Sequence, residues 1–356
     1  MKYPLGRLSA VLAALAVTTS VAHAQSNVTL YGIVDLGIEA LTNVPGTNGE
    51  KTTLVRQTSG NMAGSRWGLR GTEDLGGGLQ ALFVLENGFS ANSGVTGQSG
   101  REFGRKAFVG LKGDFGTVML GRQQNLLYDI SIRYDPMFYA ASYSAYAHDP
   151  YLAARTDNTI KYTGSFGGLT FSTMYSSGYD STIPNGAQVP GHTKVGRDMG
   201  AGVMYQNGSL DVGLVYDQRQ GSSIDSADDT ARRVIVGVAY KFTNTDVFGA
   251  YRYLQQTVGA TQSHAHLYWL GVTQHFSPAF TVSGAVYHTD VVGSGQDPTS
   301  FVLALDYYLS KRTDLYWNLS YALNRNGSNL GVDGMGVNVI AGQNQFGTVA
   351  GIRHRF

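Results

Sequence analysis

The strongest constraint on the fold is a strict alternation of apolar residues with polar or small ones along a series of short segments. In the segment that starts at Leu315, the apolar residues Leu315, Trp317, Leu319 and Tyr321 are each separated by one polar residue. The same alternation runs through residues 210–217, 233–242 and 301–309. A period of two residues is typical of β-strands whose two faces differ, and no comparable helical period follows residue 24. The chain is therefore predicted to be all-β.

Short and long connections alternate between the predicted strands. The short ones are tight, mostly glycine-, asparagine- or proline-containing turns at residues 74–78, 113–116, 167–168, 207–208, 243–245, 277–278 and 310–313. The long ones are polar and cover residues 42–64, 90–100, 124–157, 177–197, 220–229, 256–263, 290–297 and 325–344. Seven short turns and eight long loops separate sixteen strands. An even number of strands returns both chain ends to the side of the short turns.

Low charge and abundant glycine favour a membrane barrel over a soluble sheet. Only 14% of the residues are charged and 47 of 356 are glycine, against about 25% and about 7% in soluble domains. A secreted β-sandwich also alternates, but its outer face needs charge to stay soluble. If the apolar face meets lipid instead, every backbone polar group must be paired, so the sheet has to close.

We therefore predict a 16-stranded antiparallel transmembrane β-barrel. A barrel of that size keeps a water-filled channel. Aromatic residues near the strand ends are predicted to form girdles at the membrane surfaces. These residues are Tyr31, Tyr216, Tyr240, Tyr307 and Tyr321.

The N-terminal segment has the pattern of a cleaved signal peptide, residues 1–24. Lys2 and Arg7 precede ten apolar or small residues, and Ala22 and Ala24 form an A-x-A cleavage site. Ten such residues are too few for a membrane-spanning helix, which needs about 20. Residues 25–356 are then predicted to form one barrel domain. The formal net charge of +1 disfavours a nucleic-acid partner, and the absence of cysteine excludes disulfides and thiolate metal sites.

Four segments carry a resemblance to a known family: TLYG at 29–32, SRWGLRGTEDLGGGL at 65–79, GRKAFVGL at 104–111 and FGTVMLGRQ at 115–123. With the terminal Phe356, they resemble the general porins of Gram-negative bacteria, in the β-proteobacterial branch found in Burkholderia, Bordetella and Neisseria. The resemblance implies a homotrimer in the outer membrane, with short periplasmic turns, long extracellular loops and an inward-folded third loop at 124–157. It also implies contacts with lipopolysaccharide and other outer-membrane lipids, and a last strand, ending in Phe356, that the outer-membrane assembly machinery reads.

The predicted basic wall of the pore consists of Arg66, Arg70, Arg105, Arg122, Arg155 and Lys161. Strand parity places Arg66, Arg70, Arg155 and Lys161 on the lumen face, and the match to the family motif adds Arg105. The parity of Arg122 fits a pore wall and a subunit contact equally well. Charges that face a narrow lumen set the ion preference of a channel.

The third loop is predicted to supply the opposite, acidic or polar side of the constriction. Its candidates are Asp129, Tyr134, Asp135 and Asp149. The general porins commonly carry Pro-Glu-Phe-Gly-Gly here, whereas residues 135–139 of this chain read Asp-Pro-Met-Phe-Tyr. Loss of that glutamate, with the arginines retained, predicts a weak preference for anions.

The sequence thus predicts a passive diffusion channel for small hydrophilic solutes and ions, without a catalytic site, metal or cofactor. His264 and His266 share one strand face but lack the third ligand that a zinc site needs. Three alternatives stay open at this stage. They are a substrate-specific channel for sugars or for organic or aromatic acids, an outer-membrane barrel enzyme, and a plugged structural barrel.

Overall fold

The computed structural model describes residues 27–181 and 188–356, so the predicted signal peptide lies outside the described residues. The strands are β1 (Asn27–Pro45), β2 (Lys51–Ser59), β3 (Arg66–Gly76), β4 (Leu79–Gly88), β5 (Lys106–Gly113), β6 (Gly116–Gln124), β7 (Arg155–Phe166), β8 (Leu169–Ser176), β9 (Asp198–Asn207), β10 (Leu210–Gln220), β11 (Thr230–Lys241), β12 (Thr245–Val258), β13 (Thr261–Ser277), β14 (Phe280–Val291), β15 (Thr299–Tyr308), β16 (Thr313–Leu323), β17 (Leu330–Gly331), β18 (Gly334–Met335) and β19 (Gln345–Arg355). The helical segments are α1 (Gly97–Gly100), α2 (Leu126–Ser131) and three 3₁₀ turns at Ile132–Tyr134, Ala145–Ala147 and Pro150–Ala153. In these ranges, no helix is long and apolar enough to cross a membrane.

The sheet closes on itself, as predicted. Within the described ranges, sixteen antiparallel strands form the barrel, and β2, β17 and β18 are extra strands in the loops. The first strand β1 joins the last strand β19 in a register that runs from Ile33 opposite Arg355 to Leu41 opposite Gly347. Its first half pairs with β3, and its second half pairs with β2. Closure satisfies the backbone polar groups that lipid could not.

The alternation along the strands separates a lipid face from a lumen face. In β16, Leu315 and Trp317 are 43% and 49% exposed on the outer surface, whereas Asp314 and Asn318 are fully buried inside. Tyr31 was predicted to lie in the outer aromatic girdle, and this prediction is wrong. Its side chain faces the lumen, where its hydroxyl donates a hydrogen bond to Glu86 at 2.9 Å. Tyr31 is the partner of Gly68 across the β1–β3 pair, and Gly68 pairs with Glu86, so all three side-chain positions share the lumen face.

Seven predicted short turns are confirmed, but three long connections contain more strand than predicted. Residues 42–64 include β2, and residues 325–344 include the small β17–β18 hairpin. Residues 256–263 are not a loop, because β12 and β13 extend to a two-residue turn at 259–260. Side-chain hydrogen bonds of 2.7 Å, between Tyr253 and His264 and between Tyr251 and His266, support this long hairpin. Both histidines are therefore engaged by tyrosines.

The third loop, residues 125–154, folds into the barrel and packs on the inner wall. Glycines on the lumen face make this approach possible. A Cβ at Gly237 would lie 2.2 Å from the Tyr134 ring, and one at Gly213 would lie 2.4 Å from the Tyr134 hydroxyl. A Cβ at Gly202 would likewise lie 2.2 Å from the side chain of Ile130. Part of the high glycine content is thus explained by the inner wall, where a larger side chain would collide with the third loop.

Candidate pore constriction

A cavity of about 630 Å³ lies between the inner wall and the third loop. Arg66 of β3, Arg105 just before β5 and Arg155 at the start of β7 line its wall side. The structure therefore brings together three of the predicted basic residues, which lie in or beside different strands. They meet because β3 to β7 are consecutive neighbours in the sheet.

Glu86 of β4 is the residue around which the basic side is organised. Arg105 Nε donates to Glu86 Oε1 at 2.8 Å, and Arg66 Nε lies 3.8 Å from Glu86 Oε2. The carboxylate is only 4% exposed, so it fixes both guanidiniums while neutralising only one of their charges. Sequence reasoning missed Glu86, although its register opposite lumen-facing Gly68 was the available signal.

Arg155 differs from the other two arginines in its surroundings. Its Nε is buried and has no hydrogen-bond partner among the described residues. A buried N–H without a partner costs free energy unless a ligand or water satisfies it. Arg155 thus adds positive charge to the cavity wall, although its Nε is not itself exposed to the cavity.

Two of the predicted basic residues hold loops and do not line this cavity. Lys161 Nζ contacts the Gln124 carbonyl at 2.5 Å and Asp129 Oδ2 at 2.6 Å, beneath the start of the third loop. Arg122 donates to the Gly104 carbonyl at 2.7 Å and to Asp157 Oδ1 at 2.5 Å. The charges of both side chains are therefore compensated by neighbouring groups, and neither lines the cavity.

Arg70 also lies outside the cavity lining. Its guanidinium carbon is 5.2 Å from the centre of the Tyr31 ring, in a cation–π contact on the lumen face. It therefore contributes positive charge closer to the short-turn end of the barrel than Arg66 does.

Asp135, predicted for the acidic side of the constriction, is not among the residues that line the cavity. Asp135 is fully buried and accepts hydrogen bonds from the Met137 and Ala145 amides and from the Tyr287 hydroxyl, at 2.8, 3.0 and 2.8 Å. Burial raises the pKa of Asp135 to about 6, although these hydrogen bonds oppose the change. Its role in the structure is to shape the loop.

Asp149 and Tyr134 attach the loop to the wall opposite the arginine cluster. Arg233 binds Asp149 through Nε and Nη2 at 2.9 and 3.1 Å, and Arg252 Nε lies 3.3 Å from the same carboxylate. Burial by itself would raise the pKa of Asp149, but the two guanidiniums outweigh it and lower the pKa to about 2. Tyr134 donates to Asp211 at 2.8 Å and its carbonyl accepts from Trp269 at 2.9 Å.

Further charged residues line the cavity towards the short-turn end. Arg353 and Arg355 of β19 and Asp306 of β15 are among its lining residues. Arg353 lies 3.2 Å from Asp306 and 2.9 Å from Asp314, and Arg355 lies 2.6 Å from Asp314. The apolar parity of the last strand already put positions 353 and 355 on the lumen face, so a reading of that face would have found them. In the described residues, five arginines and one aspartate line the cavity.

The loop side of the same cavity is apolar and aromatic. Its lining includes Ile132, Pro136, Phe138, Tyr139 and Tyr146. Phe138 and Tyr139 adopt positive φ angles of 48° and 52°. Such backbone conformations cost roughly 1–2 kcal/mol each for residues other than glycine. The constriction thus has an arginine wall and an apolar loop face.

A closed β-barrel with an aqueous lumen, narrowed by an inward-folded loop and lined by charges, defines a membrane channel. The chain belongs to the Gram-negative porin family, whose model matches residues 10–327. This confirms the resemblance seen in the sequence. Membership of this family makes the chain a passive channel of the outer membrane and not an enzyme.

Individual relatives match over nearly the whole chain. Outer membrane porin protein 32 of Delftia acidovorans is 33% identical over 369 residues, covering 98% of this chain and 99% of that protein. An outer membrane porin protein of Bordetella pertussis is 32% identical and covers 88% of this chain and 93% of its own length. Among solved structures, the anion-selective porin from Comamonas acidovorans has a TM-score of 0.80 and 29% identity, with 93% of this chain and 100% of that chain covered.

Proposed function

We propose that this porin is a general diffusion channel for small hydrophilic solutes and ions with a weak preference for anions. The observation that carries the proposal is the charge around the cavity, where Arg66, Arg105 and Arg155 line one side and, among the described residues, no carboxylate of the third loop contributes to the lining. Positive charge at a narrow opening raises the local concentration of anions and lowers that of cations. The similarity to an anion-selective porin supports the same preference.

Reversal potentials across planar bilayers in a KCl gradient test this proposal. We expect the native channel to favour chloride, and the variants Arg66→Ala and Arg105→Ala to favour it less. Lys311→Ala is the matched control, because Lys311 is an exposed cation in a short turn away from the cavity. A native channel that prefers potassium would contradict the proposal.

We also propose a homotrimer surrounded by outer-membrane lipids, including lipopolysaccharide. The resemblance to general porins supports the trimer, and the exposed apolar outer face fits a lipid environment. Light scattering of the detergent-solubilised protein measures the oligomeric state directly, and a monomeric mass would contradict the trimer.

The C-terminal Phe356 is proposed as an assembly signal. Its backbone exchanges two hydrogen bonds of 3.1 Å with Gly32, and its ring lies over that glycine on the outer face. We expect Phe356→Ala to lower the amount of barrel in the outer membrane while leaving refolding in detergent intact. A proportional loss in both measurements would assign the residue a purely structural role.

A further inference from the structure

We propose that the constriction binds small organic anions that carry an aromatic ring, with the anionic group on the arginine wall and the ring against Phe138. The inference rests on the proposed function, since it requires an anion-permeable pore, and it adds a substrate class to it. The preference for an aromatic ring does not follow from charge, because charge alone would give acetate and benzoate the same affinity.

The cavity has two chemically different sides. Arg66, Arg105 and Arg155 line it on the wall side, and Phe138 lines it on the side of the third loop. Its volume of about 630 Å³ falls within the range of about 300–1,000 Å³ that is typical of small-molecule sites. A solute with one charged end and one apolar end matches both sides at once.

Phe138 is the unusual residue of the loop. It is 60% exposed inside the barrel, whereas its neighbours Tyr134, Met137, Tyr139 and Tyr143 are buried. Other large apolar side chains of the loop, such as Ile132 and Tyr146, are at least half-buried, so Phe138 is the one that the loop leaves mostly in water. Exposure of the aromatic ring to water and a positive φ of 48° both raise the free energy of the folded state. Exposed apolar side chains and strained backbone of this kind are characteristic of binding sites.

The backbone at Phe138 is fixed by the turn that carries it. The Phe138 amide donates to the Asp135 carbonyl at 2.9 Å, and the Met137 amide donates to the Asp135 side chain at 2.8 Å. The Ala140 amide closes the turn on the Met137 carbonyl at 3.0 Å. Because the backbone is already ordered, ligand binding at the ring does not have to order the turn as well.

The arginine side offers donors that the described protein residues do not use. Arg105 engages Glu86 through Nε, which leaves its terminal N–H groups for an anion. Arg155 lines the same cavity and adds a second guanidinium beside it. Guanidinium groups bind carboxylates strongly and with defined geometry, and aromatic rings pair favourably edge to face or offset.

Single-channel recordings of the purified porin with added solutes test the inference. Benzoate has both the charge and the ring, acetate has only the charge, and benzamide has only the ring. We expect benzoate to reduce the chloride current at a concentration roughly two- to tenfold lower than acetate does, as the strength of one aromatic pair implies. Benzamide should have little effect.

Substitution at Phe138 locates the ring contact. Phe138→Ala should remove the advantage of benzoate over acetate, and Phe138→Leu should retain only part of it. Phe115→Ala is the matched control, because Phe115 is an exposed phenylalanine in a short turn that does not line the cavity. Equal block by benzoate and acetate in the native channel overturns the inference without any variant.

The same recordings distinguish a failure of the substrate class from a failure of the proposed anion preference. Chloride selectivity without a ring preference would overturn the substrate class and leave the proposed function standing. No chloride selectivity would overturn the proposed function. A benzoate advantage that survives Phe138→Ala would also overturn the inference, since the ring would then bind elsewhere.

Discussion

Arg233 of β11 binds Asp149 of the third loop through two hydrogen bonds, from Nε to Oδ2 at 2.9 Å and from Nη2 to Oδ1 at 3.1 Å. Both side chains are buried, and Arg252 lies 3.3 Å from the same carboxylate. One aspartate therefore compensates two guanidiniums and fixes the loop to the wall.

Replacing Asp149 with Asn should destabilise the barrel and loosen its constriction. Two buried cations would lose their counter-charge, at a cost of about 3–5 kcal/mol. Thermal unfolding followed by circular dichroism measures the loss, and single-channel current noise should rise. Asp228→Asn is the control, because Asp228 forms an exposed ion pair with Lys194 at 2.6 Å, and such pairs contribute about 0–1 kcal/mol. Equal effects of the two substitutions would contradict the anchoring role.

Asp149 and Asp135 should impose opposite pH dependences on stability. The pKa of Asp149 is lowered from 3.8 to about 2, so its contribution is complete above pH 3.8 and is lost as the pH falls towards 2. The pKa of Asp135 is raised from 3.8 to about 6. The folded state then holds that proton more tightly, so stability is highest below pH 3.8 and declines as the pH rises to about 6.

The variant Asp135→Asn isolates the second effect. An amide does not titrate, so the decline of the unfolding temperature between about pH 4 and pH 6 should become smaller than in the native protein. The change below pH 4, to which Asp149 contributes, should persist. Parallel pH profiles of the native and variant proteins would refute the assignment to Asp135.

Adding a methyl group at Gly237 should lower the conductance. A Cβ there would lie 2.2 Å from the Tyr134 ring, so the loop must move away from the wall and into the lumen. Overpacking of this kind costs about 1–3 kcal/mol. Gly284→Ala is the control, because its nearest neighbour to an added Cβ is a backbone oxygen at 3.9 Å. Conductance that is unchanged in Gly237→Ala would show that the loop tolerates the displacement.

Glu86→Gln should strengthen the anion preference. The substitution keeps the shape of the side chain but removes the one carboxylate between Arg66 and Arg105. A unit charge at about 4 Å contributes about 1 kcal/mol in water, or roughly a fivefold rise in the anion-to-cation permeability ratio. Reversal potentials measure that ratio, with the exposed Glu73→Gln as control. A lower ratio in Glu86→Gln would mean that the carboxylate mainly positions the arginines.

Strand parity predicted which face each side chain occupies but not what it binds. Arg66 and Arg155 line the cavity, whereas Lys161 is bound to Asp129 of the third loop. Asp149 was predicted to line the constriction, and its partner Arg233 lies 84 residues away in the sequence. No local pattern carries such a pairing, because it depends on where the loop docks.

The sequence by itself determined the alternation, the short turns, the closed barrel and the family. These are local or periodic properties, since side chains alternate with a period of two and lipid requires a closed sheet. Only the tertiary structure decided which charges remain free at the constriction. The loop docks over Gly213 and Gly237. In the docked loop, Asp149 and Asp135 bind other groups and do not line the cavity, and Phe138 lines the cavity together with the arginines. Such long-range packing depends on contacts between segments far apart in the chain.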